Sequence, residues 1–181
     1  MIGIVLDLET TGKLHKDHRI IEFSARRCDL DKLVELEAIK MRFNPKRNID
    51  AAALRVHNIP LEELKNEPTW EDKAAEVAAI LASGDVLVGH NIASFDLLYL
   101  IQEFERVGVE TPNVAIFDTM VEGQFASELG KSPSLLELCY SLDVDYDQSL
   151  AHKGDYDTEV LRDALFQGLR LGWFNLNKKE N

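Results

Sequence analysis

Residues 2–8 form an almost unbroken apolar run, and it is interrupted by one acid, Asp7, with a second, Glu9, two positions later. A run of this kind fits a central strand buried on both faces, so the chain must supply covering layers on either side of a sheet. Strand pleating puts Asp7 and Glu9 on one face and Leu6 and Leu8 on the other. Two carboxylates held side by side repel, a cost that water or a divalent cation with hard oxygen ligands removes. Taken alone, Asp-x-Glu equally describes a solvated strand end running into Thr10-Thr11-Gly12.

The rest of the chain supplies the layers. Residues 19–25 and 35–43 read as two more strands before any long helix. Asp50 is placed to cap a short helix over 51–56, and Pro68 followed by Thr69-Trp70-Glu71-Asp72 opens a helix through Leu81. A short strand at 86–88 precedes helical spacing in Leu97, Leu100, Ile101 and Phe104, and 114–117 predicts a fifth strand. Ser134-Leu135-Leu136-Glu137 is a capping box, and Tyr156, Val160, Leu161, Ala164, Leu165 and Leu169 mark a last helical face. This order predicts an α/β fold, a five-stranded mixed sheet with helices on both faces.

Composition narrows the class. Hydrophobic residues at 45% and charged residues at 29% exclude disordered and fibrous chains. The length predicts one domain over residues 1–175 with a short polar tail at 176–181. No apolar run approaches the ~20 residues that span a bilayer, and no basic segment precedes an apolar stretch at the start, so no membrane association and a cytoplasmic location are expected. Cys28 and Cys139 have no Cys or His at metal-ligand spacing and read as reduced thiols. A net charge of −12 has the wrong sign for coating long polyanions. Contact with a few nucleotides needs only a local basic strip, and Lys40, Arg42, Lys46 and Arg47 are candidates, with a solvated strand edge as the competing reading.

Two further groups carry chemistry. Asp96 follows Gly89-His90-Asn91-Ile92-Ala93-Ser94-Phe95, and with Ser94 as cap it lies in the first turn of a helix at a strand-to-helix junction. An Asp there also simply complements the helix dipole. His152 and Asp157 are five positions apart, so they converge only if His152 lies in the loop entering the last helix. A histidine so placed can take a proton from water near neutral pH while Asp157 holds a metal. A solvated loop histidine is the plain alternative.

In combination, Asp7-Leu8-Glu9-Thr10-Thr11-Gly12, the segment from Asn91 to Asp96, and that from His152 to Asp157 occur in the order and approximate spacing of a known set. The chain resembles the DEDD 3′-to-5′ exonuclease superfamily, histidine subtype, whose members share a ribonuclease H-like fold and include proofreading epsilon subunits, ribonuclease T and oligoribonuclease. The flanks Arg19-Ile20-Ile21-Glu22, Val56-His57-Asn58-Ile59, Phe117-Asp118-Thr119 and Ser134 to Cys139 extend the likeness. The resemblance implies that Asp7, Glu9, Asp96 and Asp157 bind two divalent ions, Mg²⁺ or Mn²⁺, that His152 activates the attacking water, and that Thr10, Asn91 and Phe95 contact substrate. It further implies hydrolysis at 3′ ends of single-stranded nucleic acid, DNA favoured over short RNA, with release of 5′ mononucleotides.

This sequence departs from its relatives at Gly154, often Ala, and at Asp155, an extra carboxylate beside the site. Lys153 stands where the tyrosine subtype has its tyrosine, and Glu9 stands where a haloacid-dehalogenase-like phosphatase needs a second Asp. A catalytically silent binding module and a polymerase-associated proofreading subunit are the remaining alternatives. The short stretch after Asp157 predicts a free-standing enzyme, with loose association with replication or repair proteins and oligomeric state left open.

Overall fold

Strand β1 (Ile2–Thr10) occupies the middle of the sheet in this computed structural model, which describes residues 1–176. It pairs antiparallel with β2 (Ile20–Asp29), which pairs antiparallel with β3 (Val34–Arg42). On its other edge β1 runs parallel to β4 (Val86–Gly89), and β4 parallel to β5 (Ala115–Asp118). The order β3-β2-β1-β4-β5 makes a five-stranded mixed sheet. The tail expected at 176–181 lies, apart from Leu176, outside the described residues.

The alternation of β1 divides the core in two. Ile4, Leu6 and Leu8 pack with Trp70, Ala74, Val77 and Leu81 of α3 (Trp70–Ala82) and with Tyr99, Leu100 and Phe104 of α4 (Asp96–Val107). Val5 faces the opposite layer, formed by α6 (Leu135–Ser141) and α7 (Gly154–Arg170). Burying a large aliphatic or aromatic side chain here contributes ~1.5–3 kcal/mol, so each face of β1 has its own reason to keep register. Helices on both faces are therefore observed, and the acids of β1 share the α7 face with Val5. Three short helices, α1 (Ala51–His57), α2 (Leu61–Leu64) and α5 (Thr119–Glu122), sit in the connections.

Three local expectations change. Strand β2 continues past residue 25 because Arg26 is buried by ion pairs to Glu35, Asp155 and Glu159, so the ladder persists where the apolar pattern stops. Ser94 does not cap α4: it is exposed, the N-cap is Phe95, and no side chain closes that turn. Instead the Asp118 carboxylate accepts the Asn91 and Ala93 N–H groups at 2.9 and 3.1 Å and fixes the segment from below. Asp50 stands at the N-cap of α1 but makes no side-chain cap bond. The capping box at Ser134–Glu137 forms as the sequence predicts, and a second one closes the start of α3 at Thr69–Asp72. Cys28 and Cys139 are free and buried, and burial pushes their thiols up to about 11 and about 12.

Candidate active site

The acidic end of β1 and the first turns of α4 and α7 meet at one point of the sheet. Asp7, Glu9 and Asp157 each offer a carboxylate oxygen, and these atoms lie within 4.8 Å of one another. Asp96 enters from the other side of β1: it is 3% exposed, and its Oδ1 accepts the Leu8 N–H at 3.1 Å. That bond ties the start of α4 to the backbone between the two acids of the strand. His152 sits in the loop just before α7 with φ 61°, a left-handed conformation uncommon for a residue with a Cβ. The turn carries it back over Asp157, as convergence of the pair requires.

A cavity of about 530 Å³ opens above the cluster, lined among others by Asp7, Glu9, Thr10, Phe95, His152 and Asp157. Thr10 donates its hydroxyl to the Gly12 carbonyl at 2.7 Å, so it shapes the loop as well as the wall. Phe95 is half-buried and packs on Tyr99 with ring centroids 5.1 Å apart. Asn91 does not line this cavity; its N–H is held by Asp118 and its φ of 71° turns the chain toward α4. Lys13, Val56 and His57 also form the wall. Of these, His57 carried a signal in the sequence, the Val56-His57-Asn58-Ile59 segment, but nothing there placed its ring against the cavity.

Electrostatics show how strongly burial and mutual repulsion act on the cluster. Burial, then the charges of Asp96, Glu9 and Asp157, raise the Asp7 carboxyl well above its ordinary range. Burial and the charges of Asp157 and Glu22 push Glu9 up to about 9. Burial takes Asp96 to about 8 and Asp157 to about 6, the latter opposed by His152. Four carboxyl groups this perturbed, of hard-oxygen chemistry and close together, fit divalent metal ions as partners.

Glu22 is the residue that sequence reasoning left out of the electrostatics. It stands directly across the β1–β2 pair from Glu9 and is 1% exposed. Lys40 and Arg42 neutralise it at 3.3 and 2.7 Å, and Arg42 also binds Glu63 at 2.8 Å. The expected basic strip is thus divided, because its first two members serve a buried glutamate. Asp155, expected beside the site, is held by Arg26 at 3.0 Å. Gly154 lets α7 come close to β2: a Cβ there would lie 2.8 Å from Ser24 Oγ and 3.1 Å from Glu22 Oε1.

Comparison with known proteins places the chain in a family. The family model RNase_T, described as exonuclease, matches residues 4–165. A DNA polymerase III subunit epsilon of Buchnera aphidicola is 31% identical over 169 residues, covering 87% of this chain and 68% of that protein. A PolC-type DNA polymerase III of Mycoplasmopsis pulmonis is 28% identical over 158 residues, 87% of this chain, yet the chain spans only 11% of that relative's length. Among solved structures, a zinc-bound complex of E. coli ExoI with ssDNA superposes with a TM-score of 0.80 at 17% identity, covering 94% of this chain and 41% of the other.

Proposed function

Since the chain belongs to the RNase_T exonuclease family, we propose that it is a metal-dependent 3′-to-5′ exonuclease that trims single-stranded nucleic acid, DNA favoured over short RNA, and releases 5′ mononucleotides. The observation that carries this reading is the convergence of Asp7, Glu9 and Asp157 within 4.8 Å at the floor of a cavity that His152 also lines. Asp7, Glu9, Asp96 and Asp157 would hold two Mg²⁺ or Mn²⁺ ions. When bound, such ions supply Lewis acidity, making water more acidic and offsetting the charge that gathers on a phosphoryl group under attack.

The chain's own groups do the rest. His152 takes a proton from the attacking water at an imidazole nitrogen, from its place in the loop at the wall of the cavity. Phe95 offers a ring face for the terminal base, and the Thr10 to Gly12 loop closes the wall beside the sugar. Asn91 acts through the backbone turn that delivers Asp96. A net charge of −12 favours single strands and frayed ends over tightly held duplex.

A digestion panel of 5′-labelled and 3′-labelled single-stranded DNA, duplex DNA and short RNA with Mg²⁺ or Mn²⁺ tests the reading. The expected result is early loss of 3′ label as 5′ mononucleotide, with a ladder shortening from that end on the 5′-labelled strand. Cleavage of circular single strands, or early release of 5′ label, would overturn it. A catalytically silent binding module predicts no hydrolysis in any lane, although such a module has no need for all four acids and His152.

A further inference from the structure

Lys46 and Arg47, the half of the basic strip not spent on Glu22, belong to a second cleft. It has a volume of about 320 Å³ and is walled by Arg19, Lys46, Arg47, Arg106, Glu71 and Trp70 together with Ile20, Asn44 and Pro45. Arg106 is paired with Glu71 and Glu103, and Glu103 also faces Arg19 at 3.6 Å. Four cations thus meet Glu71 and Glu103, with the Asp72 carboxylate near enough to feel the charge of Lys46, and among the described residues neither Lys46 nor Arg47 has a carboxylate at ion-pair distance. In a chain of net charge −12 this is a local excess of positive charge. The wall also carries Trp70, whose buried indole N–H has no acceptor.

The cleft stands beside the active-site cavity. Thr10 lines the cavity, Ile20 lines the cleft, and the two are paired across β1 and β2. The connection is stiff, since Thr11 donates its N–H to the Arg19 carbonyl at 2.9 Å and Asp50 donates to the Thr11 carbonyl at 2.8 Å. Lys46 is set at the rim by Asn44, whose Oδ1 accepts the Lys46 N–H at 3.0 Å. Paired residues of β1 and β2 therefore join the wall of the acidic cavity to the wall of the cationic cleft.

We propose that this cleft grips backbone phosphates of the single strand upstream of its 3′ end, with Lys46 and Arg47 as the two phosphate contacts. The inference rests on the exonuclease reading only for the identity of the strand. It accounts for how a strongly acidic protein keeps hold of a polyanion after each cut: a cationic anchor outside the acidic cavity holds the strand while the carboxylate cluster stays free for metal. A point charge and a guanidinium read phosphate without reading bases, so the grip is independent of sequence.

The test is binding of a fluorescent dT20 strand to the intact protein in EDTA, where hydrolysis does not obscure affinity, over a range of salt concentrations. The double variant Lys46→Gln with Arg47→Gln is compared with the parent and with Lys32→Gln combined with Arg170→Gln, which removes the same charge elsewhere. Losing two phosphate contacts should flatten the plot of log affinity against log salt by about 1.4, with about tenfold weaker binding at low salt, while the control double keeps the parental slope. Equal slopes in all three proteins, or equal flattening in both doubles, would overturn the proposal. With Mn²⁺, the cleft variant should raise KM on dT20 and leave hydrolysis of a mononucleotide ester unchanged. If no protein hydrolyses anything but the slope still flattens, the exonuclease reading fails and the cleft stands.

Discussion

Replacing Glu9 with glutamine separates what the acidic cluster does to the fold from what it does with metal. A glutamate outside the fold titrates near 4.5, whereas burial and the charges of Asp157, Glu22 and Asp96 push Glu9 up to about 9 in the native protein. The native state therefore holds this proton more tightly, so between those values it binds more protons than the unfolded chain. Stability contributed at low pH is then lost as pH rises through that window. At ~1.4 kcal/mol per pH unit, the 2.5 units from 4.5 to 7 make the proton that native Glu9 must keep a liability of ~3 kcal/mol at pH 7, and of just under ~1 kcal/mol at pH 5. At ~2–4 °C per kcal/mol for a chain of this size, Glu9→Gln should melt ~6–12 °C above the parent in EDTA at pH 7, and within ~3 °C of it at pH 5. Mn²⁺ should reverse the ranking, since one site at a hundredfold excess over its Kd adds ~3 kcal/mol to the parent and much less to a variant missing a ligand. Thermal melts of both proteins at the two pH values, in EDTA and in Mn²⁺, decide it. A gap of the same size at pH 5 and pH 7, or equal shifts with Mn²⁺, would refute a buried, metal-seeking carboxylate cluster.

Asp7→Ala, Asp96→Ala and Asp157→Ala should each remove nearly all exonuclease activity, as should excess chelator; undiminished hydrolysis in EDTA would exclude the metal mechanism. His152→Ala should keep Mn²⁺ binding by calorimetry while losing roughly 10²- to 10⁴-fold in kcat, the usual share of a general base; loss of metal with an unchanged kcat would place His152 among the ligands instead. Asp118→Ala strips the acceptor from the Asn91, Ala93 and Met120 N–H groups and should cost ~2–4 kcal/mol in urea unfolding. Its activity should fall through weaker metal affinity, so excess Mn²⁺ should restore kcat in part.

Legibility in this chain follows how local the physics is. The apolar run of β1, the helix opening after Pro68, the capping box at Ser134 and the helical stripe of α7 are short-range patterns, and each became the element its pattern predicts. Asp7 and Glu9 share a face because the pleat leaves no alternative, and His152 reaches Asp157 because the loop before α7 turns through φ 61°. What stayed hidden depends on partners distant in sequence. Arg26 prolongs β2 because Asp155 and Glu159 arrive from α7 to join Glu35 around it. Ser94 looks like a cap until Asp118, on another strand, takes the backbone N–H groups of that turn. The basic strip shows the same principle most sharply. Lys40, Arg42, Lys46 and Arg47 are close neighbours in sequence, but Glu22 claims the first two across the sheet, while the turn after β3 swings the others into a cleft with Arg19 and Arg106. A charge count along the chain cannot separate cations that neutralise the fold from cations left for a ligand, because that division is made by carboxylates the sheet brings in from elsewhere. The cations left without a carboxylate, rather than the strip as a whole, are therefore where contact with a polyanion should be sought.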